Sequence, residues 1–213
     1  MIKAVIFDLD GVLVTTDELH FKAWKKLAEV LGINNFTKAD NARQRGVSRM
    51  ASLEVLLEKS SETYSDSEKN HFAEIKNNYY VKSLENLSEK DVLPGVAELL
   101  ERLKANGIKT AVGSASKNAI LILEKTNLSN YFDAICSGLD TQKSKPDPEV
   151  FVIAAEKLGV MPEDCLVIED SDAGIEAAKN GGMYALAVGE AEHNPRADYR
   201  GKSVAEFDFE IIF

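Results

Sequence analysis

Four short stretches of the chain carry residue types that could do chemistry together. In the first, Asp8-Leu9-Asp10-Gly11-Val12 follows directly on the apolar run Ala4-Val5-Ile6-Phe7. Two carboxylates spaced by two residues are costly there unless a cation or a substrate needs them. By themselves they read equally well as turn residues, with Gly11 supplying the turn. In the second, Ile168-Glu169-Asp170-Ser171 again sets acids after an apolar run, and Gly174 opens a helix that must pack closely. Open α/β sheets bind ligands at the carboxyl ends of their strands. Both sets of acids would then meet at one sheet edge and repel one another. A hard divalent cation relieves that repulsion, and all-oxygen ligation suits Mg²⁺. The third stretch, Gly113-Ser114-Ala115-Ser116-Lys117-Asn118, leads from a strand into a helix. Hydroxyls and free N–H groups at a helix start make a phosphate site, although Ser116 could be a plain N-cap. The fourth is Lys145-Pro146-Asp147-Pro148, a lysine on a rigid turn, which in isolation is a solvated lysine.

These stretches need a scaffold that brings them to one edge. The run 4–7 reads as a central strand buried on both faces. Later in the chain, Val96, Leu99, Leu100 and Leu103 have helical spacing and Gly107 ends the helix. Residues 108–113 read as a strand, 117–126 as a helix and 134–136 as a short strand. Phe151, Ala154, Ala155 and Leu158 mark a further helix that Gly159 stops. Residues 165–168 then read as a strand, 173–180 as a helix and 184–188 as a strand. This alternation predicts an α/β fold: a Rossmann-like, doubly wound parallel-sheet core. Residues 15–91 break the rhythm. They are charged, show no convincing strand and read as helix after helix, with Trp24, Leu27, Ala28 and Leu31 on one face of the first, which Gly32 closes. The expected organisation is a core of 1–14 and 92–213 with an inserted all-helical cap of 15–91. Hinges fall near Val14–Thr16 and Glu89–Leu93. At the C-terminus, Phe207, Phe209, Ile211 and Phe213 alternate like a strand, while 204–207 suit a helical turn equally well.

Composition narrows the partners. The 213 residues carry a formal charge of −10, which disfavours nucleic acid and anionic membranes. Any phosphate site must therefore be a local concentration of cations in an acidic protein. Cys136 and Cys165 lie in or beside apolar runs and read as free buried thiols, in keeping with a reducing compartment. The N-terminal apolar run is too short for a secretion signal, and no stretch reaches the ~20 apolar residues of a membrane span. A cytoplasmic location is expected.

The set D-L-D-G-V, S-A-S-K, K-P-D-P and E-D-S-x-A-G, in that order, resembles the haloacid dehalogenase superfamily of phosphotransferases over essentially the whole chain. That resemblance implies a mobile cap over the core and an aspartyl-phosphate mechanism. Asp8 would be the nucleophile. Asp10 would be the general acid/base and would lend its backbone carbonyl to Mg²⁺. Asp8 and Asp170 would ligate the metal with Glu169 close by or ligating, and Ser114 and Lys145 would hold the transferring phosphate. Charge on three phosphoryl oxygens makes cations and positioning the main source of catalysis, which agrees with these roles.

Within the cap, Arg45-Gly46-Val47-Ser48-Arg49 resembles the substrate loop of β-phosphoglucomutases, as do Leu19-His20-Phe21-Lys22-Ala23-Trp24 and Lys76-Asn77-Asn78-Tyr79. The resemblance implies that Arg49 clamps the non-transferring phosphate of a sugar bisphosphate. Lys117 and Asn118 would bind that phosphate from the core side, and Ala115 and Ser116 would also contact substrate. Thr16, His20, Trp24, Arg45, Gly46, Val47 and Lys76 would complete the substrate site. The chain departs from the family pattern at Arg45, where many relatives have lysine, at Thr15, where an acid is common, and at Gly113, where alanine is frequent. Its C-terminus is also shorter. The reading favoured by the cap is a monomeric, Mg²⁺-dependent phosphomutase that interconverts β-D-glucose 1-phosphate and glucose 6-phosphate through a 1,6-bisphosphate. The alternatives are a sugar or polyol phosphate phosphatase on the same core and a catalytically silent binding module.

Overall fold

The computed structural model describes residues 2–212. The chain enters the sheet as β1 (Ala4–Phe7) and leaves it for four helices, α1 (Asp17–Val30), α2 (Lys38–Ala42), α3 (Arg49–Leu57) and α4 (Asp66–Ser83). It then alternates through α5 (Val96–Ala105), β2 (Lys109–Gly113), α6 (Ala119–Lys125), β3 (Ala134–Cys136), α7 (Glu149–Leu158), β4 (Cys165–Glu169), α8 (Asp172–Asn180), β5 (Tyr184–Ala187) and β6 (Tyr199–Arg200). The six strands form one sheet in the order β3-β2-β1-β4-β5-β6, and every pairing is parallel. The expected doubly wound core is therefore present.

Side-chain alternation explains the two helical layers. Successive residues of a strand point to opposite faces. Val5 and Phe7 join the cluster made with Leu99, Leu100 and Leu103 of α5 and Ile122 and Leu123 of α6. Ala4 and Ile6 join the cluster made with Phe151 and Ala154 of α7 and Ile175 and Ala178 of α8. A strand covered on both faces must be apolar throughout, which is why 4–7 shows no polar alternation.

The strand order reverses at β1. The chain passes to β2 and β3 on one side and later to β4 on the other. Phe7 pairs with Ile168, and the Asp8 N–H donates to the Ile168 carbonyl at 3.0 Å. Asp8 and Glu169 thus leave the sheet side by side at its topological switch point, where open α/β sheets take ligands.

Residues 15–91 contain helices and no strand. They hold an apolar centre of their own around Trp24, Leu27, Phe36, Leu53 and Leu56. Thr37 with Asp40 and Ser65 with Glu68 form reciprocal capping boxes that start α2 and α4. The two chain crossings into this unit lie side by side. Val14 bridges Val92, the Thr15 N–H donates to Asp91 O at 3.1 Å and the Leu93 N–H to Leu13 O at 2.9 Å.

At three places the structure corrects, decides or extends the sequence reading. The helix anticipated over 117–126 begins at Ala119 and has seven residues, with Asn118 at its N-cap. Of the two readings open at the C-terminus, a strand over the aromatic alternation and a helical turn over 204–207, the turn is present and the strand is not. Val204–Glu206 and Phe209–Ile211 are 3₁₀ turns, because Phe207 and Phe209 meet edge to face with centroids 4.8 Å apart and Phe209 and Ile212 turn into the core. Phe213 lies outside the described residues. The sheet also has a strand that the sequence did not announce, β6, whose two residues, Tyr199 and Arg200, carry no apolar run. Among the described residues no helix is long and apolar enough to cross a membrane.

Leu100, 1% exposed on the core face of α5, tests this packing. Leu100→Ala is expected to lower stability by about 2–5 kcal/mol, read from urea unfolding midpoints.

Candidate active site

The acids at the sheet edge and Lys145 form one buried ionic cluster. Lys145, on the turn before α7 and preceding a cis Lys145–Pro146 bond, donates to Asp8 Oδ1 and to Glu169 Oε1, each at 2.6 Å. The other oxygen of Glu169 accepts from the Ser171 N–H at 2.7 Å and the Ser171 hydroxyl at 2.8 Å. Glu169 thus holds Lys145 and the start of α8. A methyl group on Gly174 would fall 1.8 Å from Glu169 Oε1, so this carboxylate can pass α8 only because residue 174 has no side chain.

Asp8, Glu169 and Asp170 present carboxylate oxygens within 4.8 Å of one another, a set that could hold a metal ion. Three hard oxygen donors suit Mg²⁺. Lys145 already draws on one oxygen each of Asp8 and Glu169, and all three carboxylates still offer an oxygen to a metal. Burial pushes the Asp170 carboxyl up, and Glu169 and Asp8 push it further. Burial also raises Asp8. Lys145 pulls it down, while Glu169 and Asp10 act upward. Burial opposes the charge of Lys145, but Asp8 and Glu169 outweigh it and hold the ammonium well above its ordinary range. Gly11 makes room for Asp170. Its φ is +88°, and a Cβ there would lie 2.0 Å from Asp170 Oδ2.

Asp10 is arranged differently. Its carboxylate lies outside that triad and accepts a hydrogen bond from the Thr16 hydroxyl. Thr16 occupies the N-cap of α1 yet makes no side-chain cap bond, because its hydroxyl is turned to Asp10. Burial raises the Asp10 carboxyl, with Thr16 and then Lys76 acting to lower it. A carboxyl pushed upward can carry a proton and give it away.

Over the sheet edge lies a cavity of about 290 Å³. From the core, Asp8, Asp10, Asp170 and the whole run Ser114–Asn118 line it. From the cap come His20, Trp24, Arg45, Gly46, Val47, Arg49 and Lys76. Three anticipated residues stand behind this wall. Thr16, Lys145 and Glu169 are buried and act on the lining acids rather than facing the cavity. The run 114–118 is a hydroxyl-braced loop. Ser114 Oγ accepts from the Ser116 N–H at 3.1 Å, and Ser116 Oγ from the Asn118 N–H at 3.2 Å. With only seven residues in α6, this loop and not a helix dipole is what could meet a phosphate.

The cap side is cationic. Lys76, 3% exposed, sits 4.7 Å over the Trp24 ring and 4.6 Å over the Tyr80 ring, with Nζ 2.9 Å from His20 Nδ1. Burial and then Arg49 push its ammonium down to about 7, against the pull of Asp10. Burial, Lys76 and Arg49 likewise keep His20 well below its ordinary range. Arg49 has no carboxylate within ion-pair distance among the described residues. Arg45 does: its guanidinium pairs with Asp17 at 3.3 Å and with Glu190.

The chain belongs to the haloacid dehalogenase-like hydrolases. The family model matches residues 2–182. Over 212 residues the chain is 41% identical to β-phosphoglucomutase of Bacillus subtilis (strain 168), covering 99% of this chain and 93% of that protein. It is 36% identical over 183 residues to the phosphorylated carbohydrates phosphatase of Thermotoga maritima, covering 85% and 82%. The crystal structure of β-phosphoglucomutase from Clostridium difficile superposes with a TM-score of 0.93 at 41% identity, covering 100% of this chain and 96% of that one.

Sequence reasoning did not reach Asp17, Asn41, Gln44, Ser52, Leu93, Gly189 and Glu190, which also line the cavity. Asp17 and Glu190 are single acids among many, and no local pattern marks them. Ser52 falls one helical turn after the signalled loop, on the same face as Arg49, and helical spacing alone could have found it. Cys136 and Cys165 are free and buried, as expected.

The low value of Lys76 has a stability consequence with a defined sign. Between about 7 and its ordinary 10.5, the unfolded chain holds a proton that the folded chain has shed. Stability therefore rises with pH across that window, and the burial penalty is fullest below pH 7. Lys76→Met should stabilise the folded protein at pH 6 by more than at pH 9, measured by urea unfolding at both values.

Proposed function

We propose that the protein is a β-phosphoglucomutase that interconverts β-D-glucose 1-phosphate and glucose 6-phosphate through a β-glucose 1,6-bisphosphate. One observation carries this beyond family membership. The cavity joins a carboxylate-and-lysine transfer site at one end to a second cationic end, where Arg49 presses the Lys76 ammonium down and, although Glu74 favours its charge, Arg49 has no carboxylate within ion-pair distance among the described residues. Two cations forced together beside one cavity favour an anion there. A substrate with two phosphates meets both ends, whereas a phosphatase acting on a monophosphate needs only the first.

In this reading Asp8 attacks phosphorus at one end of the bisphosphate and becomes the aspartyl phosphate. The leaving sugar oxygen takes its proton from Asp10. The glucose 6-phosphate so formed leaves, and the 6-hydroxyl of an incoming β-glucose 1-phosphate gives its proton to Asp10 as it attacks the phosphorus on Asp8. The bisphosphate that forms turns end for end and is attacked again by the freed Asp8, so the phosphoryl and proton counts close. Covalent capture divides one difficult transfer into two easier ones. Bound by Asp8 and Asp170, with the Asp10 carbonyl nearby, Mg²⁺ would neutralise charge on the transferring oxygens. Lys145 supplies fixed positive charge from beneath, with Glu169 aiming it. Ser114 and the N–H groups of Ala115 and Lys117, on a loop braced by the Ser116 and Asn118 N–H bonds, hold the phosphate from the core, and Thr16 sets the orientation of Asp10. His20 and Trp24 support Lys76, and Gly46 and Val47 carry the loop across the sugar. The cap is taken as 15–91, moving on the paired crossings at 14–15 and 91–93. The reading includes a monomer, since the site is complete within one chain, and a cytoplasmic location, in keeping with two free thiols.

The deciding assay supplies β-glucose 1-phosphate, a trace of the bisphosphate and Mg²⁺, and follows glucose 6-phosphate against free phosphate. Mutase action gives the sugar phosphate; dominant release of free phosphate returns the chain to the phosphatase reading. Asp8→Asn is expected to abolish turnover and the aspartyl phosphate, the latter checked by mass spectrometry after exposure to a phosphoryl donor. Arg49→Lys keeps the charge but loses the planar fork. Mutase turnover should fall roughly ten- to a hundredfold, the loss of a charge-assisted contact of about 1.5–3 kcal/mol. Hydrolysis of acetyl phosphate, which has no distal phosphate, should change much less. Equal losses in the two assays would remove Arg49 as the distal clamp.

A further inference from the structure

The loop that closes over the transfer site is held by the core at three points. The Ser48 N–H donates to Ser144 Oγ, next to Lys145, at 2.7 Å. Gly46 lies against Ser171, where a Cβ would fall 2.2 Å from the hydroxyl. The third point is ionic: Arg45 pairs with Glu190. Asp17 also pairs with Arg45, but Asp17 begins α1 and belongs to the cap, so it aims the guanidinium without tying it to the core. Among the described residues, Glu190 is the core carboxylate that pairs with Arg45.

Glu190 stands on a well-anchored turn. The Val188 N–H donates to the Glu169 carbonyl at 2.8 Å, and the Gly189 N–H to the Lys202 carbonyl at 3.0 Å, with Gly189 at φ +56°. The turn therefore follows β5 and is tied by the Val188 N–H to the end of β4, beside Asp170. Glu190 and Arg45 both line the cavity, so their pair spans the cleft at the rim of the site. The Arg45 side chain is 25% exposed and that of Glu190 is 66% exposed, which makes the pair open to salt.

We propose that Glu190 is a positioning residue for phosphoryl transfer: through Arg45 it latches the cap loop 45–48 to the core turn beside Asp170. This rests on the mutase reading for its substrate, but the latch itself does not. Closure then draws on a bond internal to the chain as well as on substrate contacts. Substrate binds productively only to the closed form, so its apparent affinity scales with the closed fraction. Loss of the latch should appear in KM, because the groups that carry the chemical step are untouched.

The test compares wild type with Glu190→Gln, Arg45→Gln and the double variant at low and high salt. At low salt Glu190→Gln should raise KM for β-glucose 1-phosphate about two- to fivefold, the scale of a solvent-exposed pair, with kcat nearly unchanged. The double variant should be no worse than Arg45→Gln alone, and high salt should bring wild type to the level of Glu190→Gln. Without substrate, backbone amides of 45–48 should exchange hydrogen faster in Glu190→Gln than in wild type. Unchanged KM, equal losses in KM and kcat, additive losses in the double variant, or unaltered exchange would each overturn the latch. If wild type fails to turn over the sugar phosphate, the mutase reading falls, and the exchange measurement still judges the latch.

Discussion

Carboxylates crowded at the carboxyl end of a parallel sheet are the constraint on which the rest of the site depends. Asp8 and Glu169 are brought out side by side because β1 and β4 pair in register, and Asp170 follows. Such a group repels itself and is penalised by burial. Lys145, with no exposed side-chain area, bridges two of its members and offsets part of that penalty. A divalent cation would offset more. Several apparently minor features serve this arrangement: Gly11 and Gly174 yield space to Asp170 and Glu169, and Ser171 occupies the second oxygen of Glu169.

The same economy of partners separates the two working aspartates. Asp8 shares Lys145 with Glu169, so a cation stands beside it throughout. Asp10 has the Thr16 hydroxyl, and burial is the largest influence on it. One acid is thus kept next to fixed positive charge, and the other is left free to hold and release a proton. Two carboxylates two residues apart acquire different chemistry from their neighbours rather than from their own type.

Opposite them the cap solves the converse problem. Lys76 and Arg49 are cations in an acidic protein, placed where burial disfavours both. The aromatic faces of Trp24 and Tyr80 and the ring of His20 favour the Lys76 ammonium, although burial and Arg49 still hold it down to about 7. A paired carboxylate would make the cap more stable and the cavity less attractive to phosphate. Such an arrangement favours an anion in the cavity.

Much of this was legible in the residues. The unbroken apolar run 4–7, the helical spacing of 96–103 and 151–158, and the glycine stops at 107 and 159 all appear as read, because burial on both sheet faces and on one helix face writes itself into local periodicity. The motifs likewise marked the acids and the hydroxyl loop at strand ends that the pattern locates, while Lys145, on the turn before α7, was marked by its own motif. Contacts between distant segments left no such trace. The two-residue β6, the aromatic turn at 207–209 and the acids Asp17 and Glu190 depend on neighbours far away in the chain, and nothing in their own surroundings marks them. Local pattern determined which residues are candidates for the chemistry. Only the packing of cap on core decided which charges face each other across the cavity, because a charge pair is set by distance in space and a sequence records only distance along the chain.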